Sequence, residues 1–142
     1  MTRDEAKRDM EEQEGKPIFK QRRRQMHREL TMNRIIEAVP VADVIVTNPT
    51  HYAVALRYRP GIDKAPMVTA KGADPLALHI RNIARSSGVP IIESRLVARL
   101  LWRRVKVGRP VPGSLFQSVA EILARVYRRQ AKRGNKQNQM RA

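Results

Sequence analysis

The stretch Val44-Ile45-Val46-Thr47-Asn48-Pro49-Thr50-His51-Tyr52-Ala53-Val54-Ala55-Leu56 decides the architecture. Residues Val41 to Thr47 are aliphatic at odd and even positions alike around Asp43. That is the pattern of a strand covered on both faces, hence central in its sheet. Tyr52, Val54, Leu56 and Tyr58 then alternate with Ala53, Ala55 and Arg57, giving a second strand that Pro60-Gly61 closes. Only Asn48-Pro49-Thr50-His51 separates the two, so the chain reverses there.

On the C-terminal side, Met67 to Ala70 predicts a short third strand ended by Lys71-Gly72. Asp74 offers an N-cap and Pro75 the first position of a helix with Leu76, Ile80 and Ile83 on one face and Gly88 as its stop. Val89-Pro90-Ile91-Ile92 leads into a fourth strand, and Ser94 can cap a helix carrying Leu96, Val97, Leu100 and Leu101. Ser114 and Gln117 form a capping box for a last helix whose stripe is Leu115, Val119, Ile122 and Val126. Strands and helices in this order predict an α/β fold, a small mixed sheet of about four strands surrounded by helices.

On the N-terminal side, residues 2–14 mix charges without apolar periodicity, as in a linker or a frayed helix, and Gly15-Lys16-Pro17 interrupts them. Phe19 to Ala38 is helix-compatible and strongly basic through Arg22, Arg23, Arg24 and Arg28, until Val39-Pro40 stops it. The expected division is a charged linker and basic N-terminal helical arm over 1–40, the α/β domain over 41–128, and a basic flexible tail over 129–142.

A chain of 142 residues supports one domain of this kind with tails. The absence of cysteine excludes disulfides, thiolate metal sites and a cysteine nucleophile, and fits a reducing compartment. No aliphatic run approaches the roughly 20 residues that span a bilayer, and no signal peptide is evident, so a soluble cytoplasmic chain is expected. The net charge of +16 raises the possibility of a basic nucleic-acid-binding module using Arg22 to Arg28 and the tail from Arg125. Stacking aromatics are few and no groove-reading motif is present, so specific nucleic acid is not an expected partner. Solvated helix faces account for most of the charge. The arm's arginines would also suit an anionic membrane surface.

Catalytic constellations are largely missing. There is no Gly-rich phosphate loop or nucleophile elbow, and His27, His51 and His79 lack metal-ligand spacing, so neither a metal nor a cofactor is expected. His27 and His79 read as surface or packing residues. Asn48-Pro49 has an ordinary reading as a chain reversal. It also has a chemical one. Proline lacks the N–H that normally attacks an asparagine side chain, so deamidation by that route is closed. The reverse attack stays open: the Asn48 side-chain nitrogen closes a succinimide on its own main-chain carbonyl and expels Pro49 as an amine. Such a weak nucleophile needs a turn that holds it close to the carbonyl. Thr50 is placed to fix the turn, and His51 to move a proton in either direction.

The quoted stretch from Val44 to Leu56 resembles the signature of the type III export switch family (FlhB/YscU/SpaS). Ala65-Pro66, Ala70-Lys71-Gly72-Ala73-Asp74, Ile80-Arg81, Ile83-Ala84, Gly88-Val89-Pro90 and Ser118-Val119-Ala120-Glu121 extend the resemblance over most of Gly15 to Tyr127. Tyr52 and the Ala-Val-Ala-Leu after it favour the flagellar branch, with the injectisome switch protein as the alternative. The resemblance implies a single self-cleavage between Asn48 and Pro49, with Asn48, Pro49, Thr50 and His51 as the site, rather than a turnover enzyme. It implies that the pieces stay associated and that the cut takes part in switching export from rod and hook proteins to filament proteins.

The implied partners are other export-gate subunits, export substrates, the hook-length ruler protein and the chain's own cleaved fragment. The implied place is the cytoplasmic face of the bacterial inner membrane, reached through a preceding half with four membrane helices that this chain lacks. Ser94-Arg95, where relatives usually carry prolines, and Lys106, where an acidic residue is common, depart from the pattern; they bear on partner contacts more than on cleavage.

Overall fold

The computed structural model describes residues 2–141, with side chains left aside at 11–14 and 135–141. The chain divides into two compact units, one ending at Arg34 and one beginning at Ile35. The first contains α1 (Arg3–Gly15) and most of α2 (Pro17–Ala38), and none of its described residues is buried. Gly15-Lys16-Pro17 does separate two helices, as composition predicts, and the charged stretch before it is helical.

The second unit begins six residues earlier than the boundary expected at 41. Ile35 and Val39 are buried with the sheet residues Ile45, Ala53 and Ala55, so the end of α2 belongs to the core. Val39–Val41 form a 3-10 turn and Val41 is 64% exposed, so the first strand starts at Val44 rather than Val41.

The strands are β1 (Val44–Asn48), β2 (Tyr52–Arg57), β3 (Met67–Ala73) and β4 (Ile91–Glu93), arranged β3-β2-β1-β4. β1 is central as its double-sided pattern requires, antiparallel to β2 and parallel to β4. Successive side chains of a strand face opposite ways, which splits the core in two. Val44, Val46, Val54 and Leu56 pack with α4 (Arg95–Arg104) and α5 (Gly113–Arg141). Ile45, Ala53, Ala55 and Ala70 pack with α3 (Pro75–Ser87). The expected stripe of α5 is buried at Leu115, Val119, Ile122 and Val126. α4 turns Val97, Ala98 and Leu101 inward and leaves Leu96 exposed. α5 continues to Arg141, through the segment expected as a tail.

β3 does not end at Lys71-Gly72 but pairs with β2 as far as Ala73. Its register slips between Ala55 and Leu56, leaving Thr69 as the extra residue of a bulge. Gly72 lets the strand run on beneath α3: a methyl there would sit 2.7 Å from the Cβ of Leu76.

Three expected helix caps are not made. Asp74 and Ser94 precede α3 and α4 without a side-chain capping bond. Ser114 lies inside α5, which starts at Gly113 with the Leu115 N–H bonded to the Pro112 carbonyl.

Candidate functional site

Asn48 is the last residue of β1 and pairs with Tyr52, the first of β2, so Pro49, Thr50 and His51 alone close the hairpin. Proline suits the first central position of such a turn because its φ is already set near −65°. The turn is closed by its backbone: the His51 N–H donates to the Asn48 carbonyl at 3.0 Å. Asn48 and Pro49 are half-buried, while Thr50 and His51 are exposed.

Two further backbone bonds hold the flanks. The Asp74 N–H donates to the His51 carbonyl at 3.0 Å, and the Ser94 N–H donates to the Thr47 carbonyl at 2.9 Å. The turn is therefore tied to the starts of α3 and α4, which meet the sheet at the same end. The buried strands on both sides leave little freedom to residues 48–52.

This arrangement suits attack on the Asn48 carbonyl. Were the side-chain nitrogen to add to that carbon, negative charge would grow on the oxygen that already accepts the His51 N–H. A fixed donor of this kind favours the charged intermediate without having to reorient. All four expected site residues lie in this one turn. Neither the Thr50 hydroxyl nor the His51 imidazole makes a hydrogen bond among the described contacts, so the turn is fixed by the backbone N–H of His51 rather than by Thr50. The His51 imidazole faces solvent beside Tyr52, ring centroids 6.3 Å apart. His27 and His79 are exposed on α2 and α3, away from the turn in sequence. Among the described residues no three His, Cys, Asp or Glu side chains cluster as metal ligands would.

Behind the turn lies a group that sequence reasoning missed. Tyr52 stacks on Trp102, with centroids 5.2 Å apart and planes inclined by 22°. Lys71, in β3, places its Nζ 5.0 Å from the centre of the Trp102 ring and donates to the carbonyls of Trp102 and Val105 at 2.9 and 3.0 Å. Those carbonyls end α4 and have no partner within the helix, so the lysine satisfies them and complements the negative end of the helix dipole. Burial lowers the pKa of Lys71 below the ordinary lysine value. A single tryptophan in the chain was the signal available, and nothing in its spacing pointed to the turn.

Comparison with known proteins shows the family. A family model described as the FlhB HrpN YscU SpaS family matches residues 1–126. The chain is 45% identical over 132 residues to the flagellar biosynthetic protein FlhB of Bacillus subtilis, covering 93% of this chain and 37% of that protein. It is similar to the crystal structure of the cytoplasmic domain of FlhB from Shewanella putrefaciens, with TM-score 0.68, 41% identity, and 72% of this chain and 79% of the other covered. The EscU C-terminal domain matches with TM-score 0.63 and 30% identity over 65% of this chain and 98% of the other. The chain thus spans little more than a third of the length of the curated relative from Bacillus subtilis. No helix among the described residues is long and apolar enough to cross a membrane.

Proposed function

The chain belongs to the FlhB HrpN YscU SpaS family, and on that basis we propose that it is the cytoplasmic switch domain of a flagellar protein-export gate, which cuts its own backbone once between Asn48 and Pro49. The observation that carries this reading is the hydrogen bond from the His51 N–H to the Asn48 carbonyl, inside a tight turn clamped at both flanks.

In the proposed reaction the Asn48 Nδ2 forms a bond to its own main-chain carbonyl carbon, and the bond from that carbon to the Pro49 nitrogen breaks. One proton leaves the attacking nitrogen and one arrives on the departing proline nitrogen. Residue 48 is left as a succinimide, which water opens, and residue 49 as a free secondary amine. The exposed His51 imidazole is available to water-borne proton exchange on either side of this step. The event occurs once per chain, so the domain is a substrate of its own fold and not a turnover enzyme.

The pieces 1–48 and 49–142 stay together because β1 is paired on both edges and buried on both faces. The cut then acts on export specificity by altering the turn, which gate subunits, export substrates and the hook-length ruler would meet at the cytoplasmic face of the inner membrane. The test is to compare the native and denatured masses of the wild-type chain. One native species that separates under denaturant into 1–48 and 49–142, with Asn48→Ala remaining whole, is the expected result. A wild-type chain still intact after prolonged incubation, or an Asn48→Ala chain cut normally, overturns the reading.

A further inference from the structure

Asp74 is the one non-glycine residue with positive φ among the described residues, at φ 52° and ψ −114°. These angles are close to the first central position of a type II′ turn, about +60° and −120°, which glycine ordinarily fills. The following Pro75 restricts residue 74 further, since the residue before a proline is pushed toward extended backbone at negative φ. No side-chain capping bond offsets the strain. Residues held this way persist only where the surroundings over-determine them.

The surroundings of Asp74 do so. Ala73, just before it, is paired with Tyr52, and Gly72 lies so close to Leu76 that no Cβ would fit between them. The Asp74 carbonyl accepts the Leu78 N–H at 3.3 Å, so the residue is fixed between the end of β3 and the first turn of α3. Its remaining backbone group, the N–H, points at the turn and donates to the His51 carbonyl at 3.0 Å. His51 is thereby held on both sides, by Asp74 at its carbonyl and by the strand pairing of Tyr52. The direction of its own N–H, the one on the Asn48 carbonyl, follows from that.

We propose that Asp74 is a positioning residue for scission at Asn48-Pro49, its strained backbone holding His51 so that the His51 N–H stays on the carbonyl under attack. The inference rests on the self-cleavage reading above. The Cβ of Asp74 leaves only a narrow range of backbone angles at positive φ, so the neighbours that hold the residue there also fix the direction of its N–H. Glycine at 74 would keep the N–H but let it wander over a broader range, and a donor two bonds removed from the reacting carbonyl would lose its aim with it.

The test compares wild type, Asp74→Gly and Asp74→Ala, full chains pulse-labelled in cell-free translation, by the rate at which fragment 49–142 appears. Thermal melting of the same variants in the uncleavable Asn48→Ala chain supplies the second readout. Asp74→Gly is expected to melt higher, through relief of strain, and yet to cleave at least about five-fold more slowly. Asp74→Ala keeps both Cβ and N–H and is expected to cleave faster than Asp74→Gly. A merely structural role would make cleavage follow stability. Wild-type rate in Asp74→Gly overturns the inference, as does Asp74→Ala being as slow as Asp74→Gly, which would assign the effect to the carboxylate. No fragment from the wild-type chain defeats the self-cleavage reading itself, and the role of Asp74 falls with it.

Discussion

The ring of Tyr52 lies on the ring of Trp102, 5.2 Å between centroids and 22° between planes, joining the first residue after the turn to the last turn of α4. Stacked aromatic pairs contribute about 0.5–1.5 kcal/mol beyond their buried area. A double-mutant cycle of Tyr52→Ala and Trp102→Ala, by urea unfolding in the Asn48→Ala chain, is expected to return a coupling in that range. Strict additivity would show that the two rings do not support each other.

Lys71 predicts a pH dependence. Burial holds its ammonium group below the ordinary value of 10.5. Between the lowered folded value and 10.5 the unfolded chain binds more protons at this site, so the lysine makes stability rise with pH through that window. Tyr127 acts in the opposite sense: burial, with Asp43 and Tyr58 nearby, raises its phenol above 10.0, and stability falls as pH rises past that point. Lys71→Met is expected to be less stable at neutral pH, with two carbonyls left unpaired, and to lose the rise below pH 10.5. Urea unfolding from neutral pH upward checks both effects.

Gly72→Ala forces a methyl to within 2.7 Å of the Leu76 Cβ and 3.0 Å of the Leu76 backbone carbon. Backbone at the start of a helix cannot give way as a flexible side chain can. Overpacking of this sort costs about 1–3 kcal/mol, occasionally more. A lowered midpoint in chemical denaturation, together with slower cleavage, is the expected result.

The two parts of His51 can be separated. His51→Ala removes the imidazole and keeps the N–H, so cleavage is expected to slow without stopping. His51→Pro removes the N–H that donates to the Asn48 carbonyl. Loss of one such donor typically costs about 10²–10³ in rate. Fragment appearance for the two variants, each checked for folding by circular dichroism, orders them; equal rates would remove the backbone donor from the mechanism.

Hydrogen exchange before and after the cut should change in a narrow place. Thr47 stays bonded to Ser94 and Tyr52 stays paired with Ala73, so the loosened amides are those of Thr50 and His51. Faster exchange there in the wild-type domain than in Asn48→Ala, with Val44–Val46 and Ala53–Leu56 unchanged, is the expected pattern. Indistinguishable exchange at Thr50 and His51 would count against a local switch.

Much of this was legible along the chain because it depends on short-range pattern. The double-sided run before Asn48 gives a central strand, the alternation after Pro49 gives its neighbour, and Pro75 with Gly88 bounds α3. What escaped depends on contacts far apart in sequence or on backbone angles. An N-cap needs an extended backbone as well as the right side chain. Asp74 has the side chain, but at φ 52° it serves the turn instead. Lys71-Gly72 looks like a strand end until α3 is laid against it. Trp102 meets Tyr52 only once the residues between them, 53–101, have folded. The candidate site Asn48 to His51 was picked out by its chemistry, while the residues bonded to its flanks, Asp74 and Ser94, carry no local mark.

The order β3-β2-β1-β4 has a mechanical corollary. A cut at Asn48 would make β1 a single ribbon slotted between two strands of the other piece, free at its end and still joined at its start to α2. Tension applied through that helix would draw β1 lengthwise, in shear, and every rung on both of its edges would bear the load together instead of opening one at a time. A joint of that kind resists force far better than a peeled edge would. A domain severed there would therefore stay anchored under load although no covalent bond crossed it.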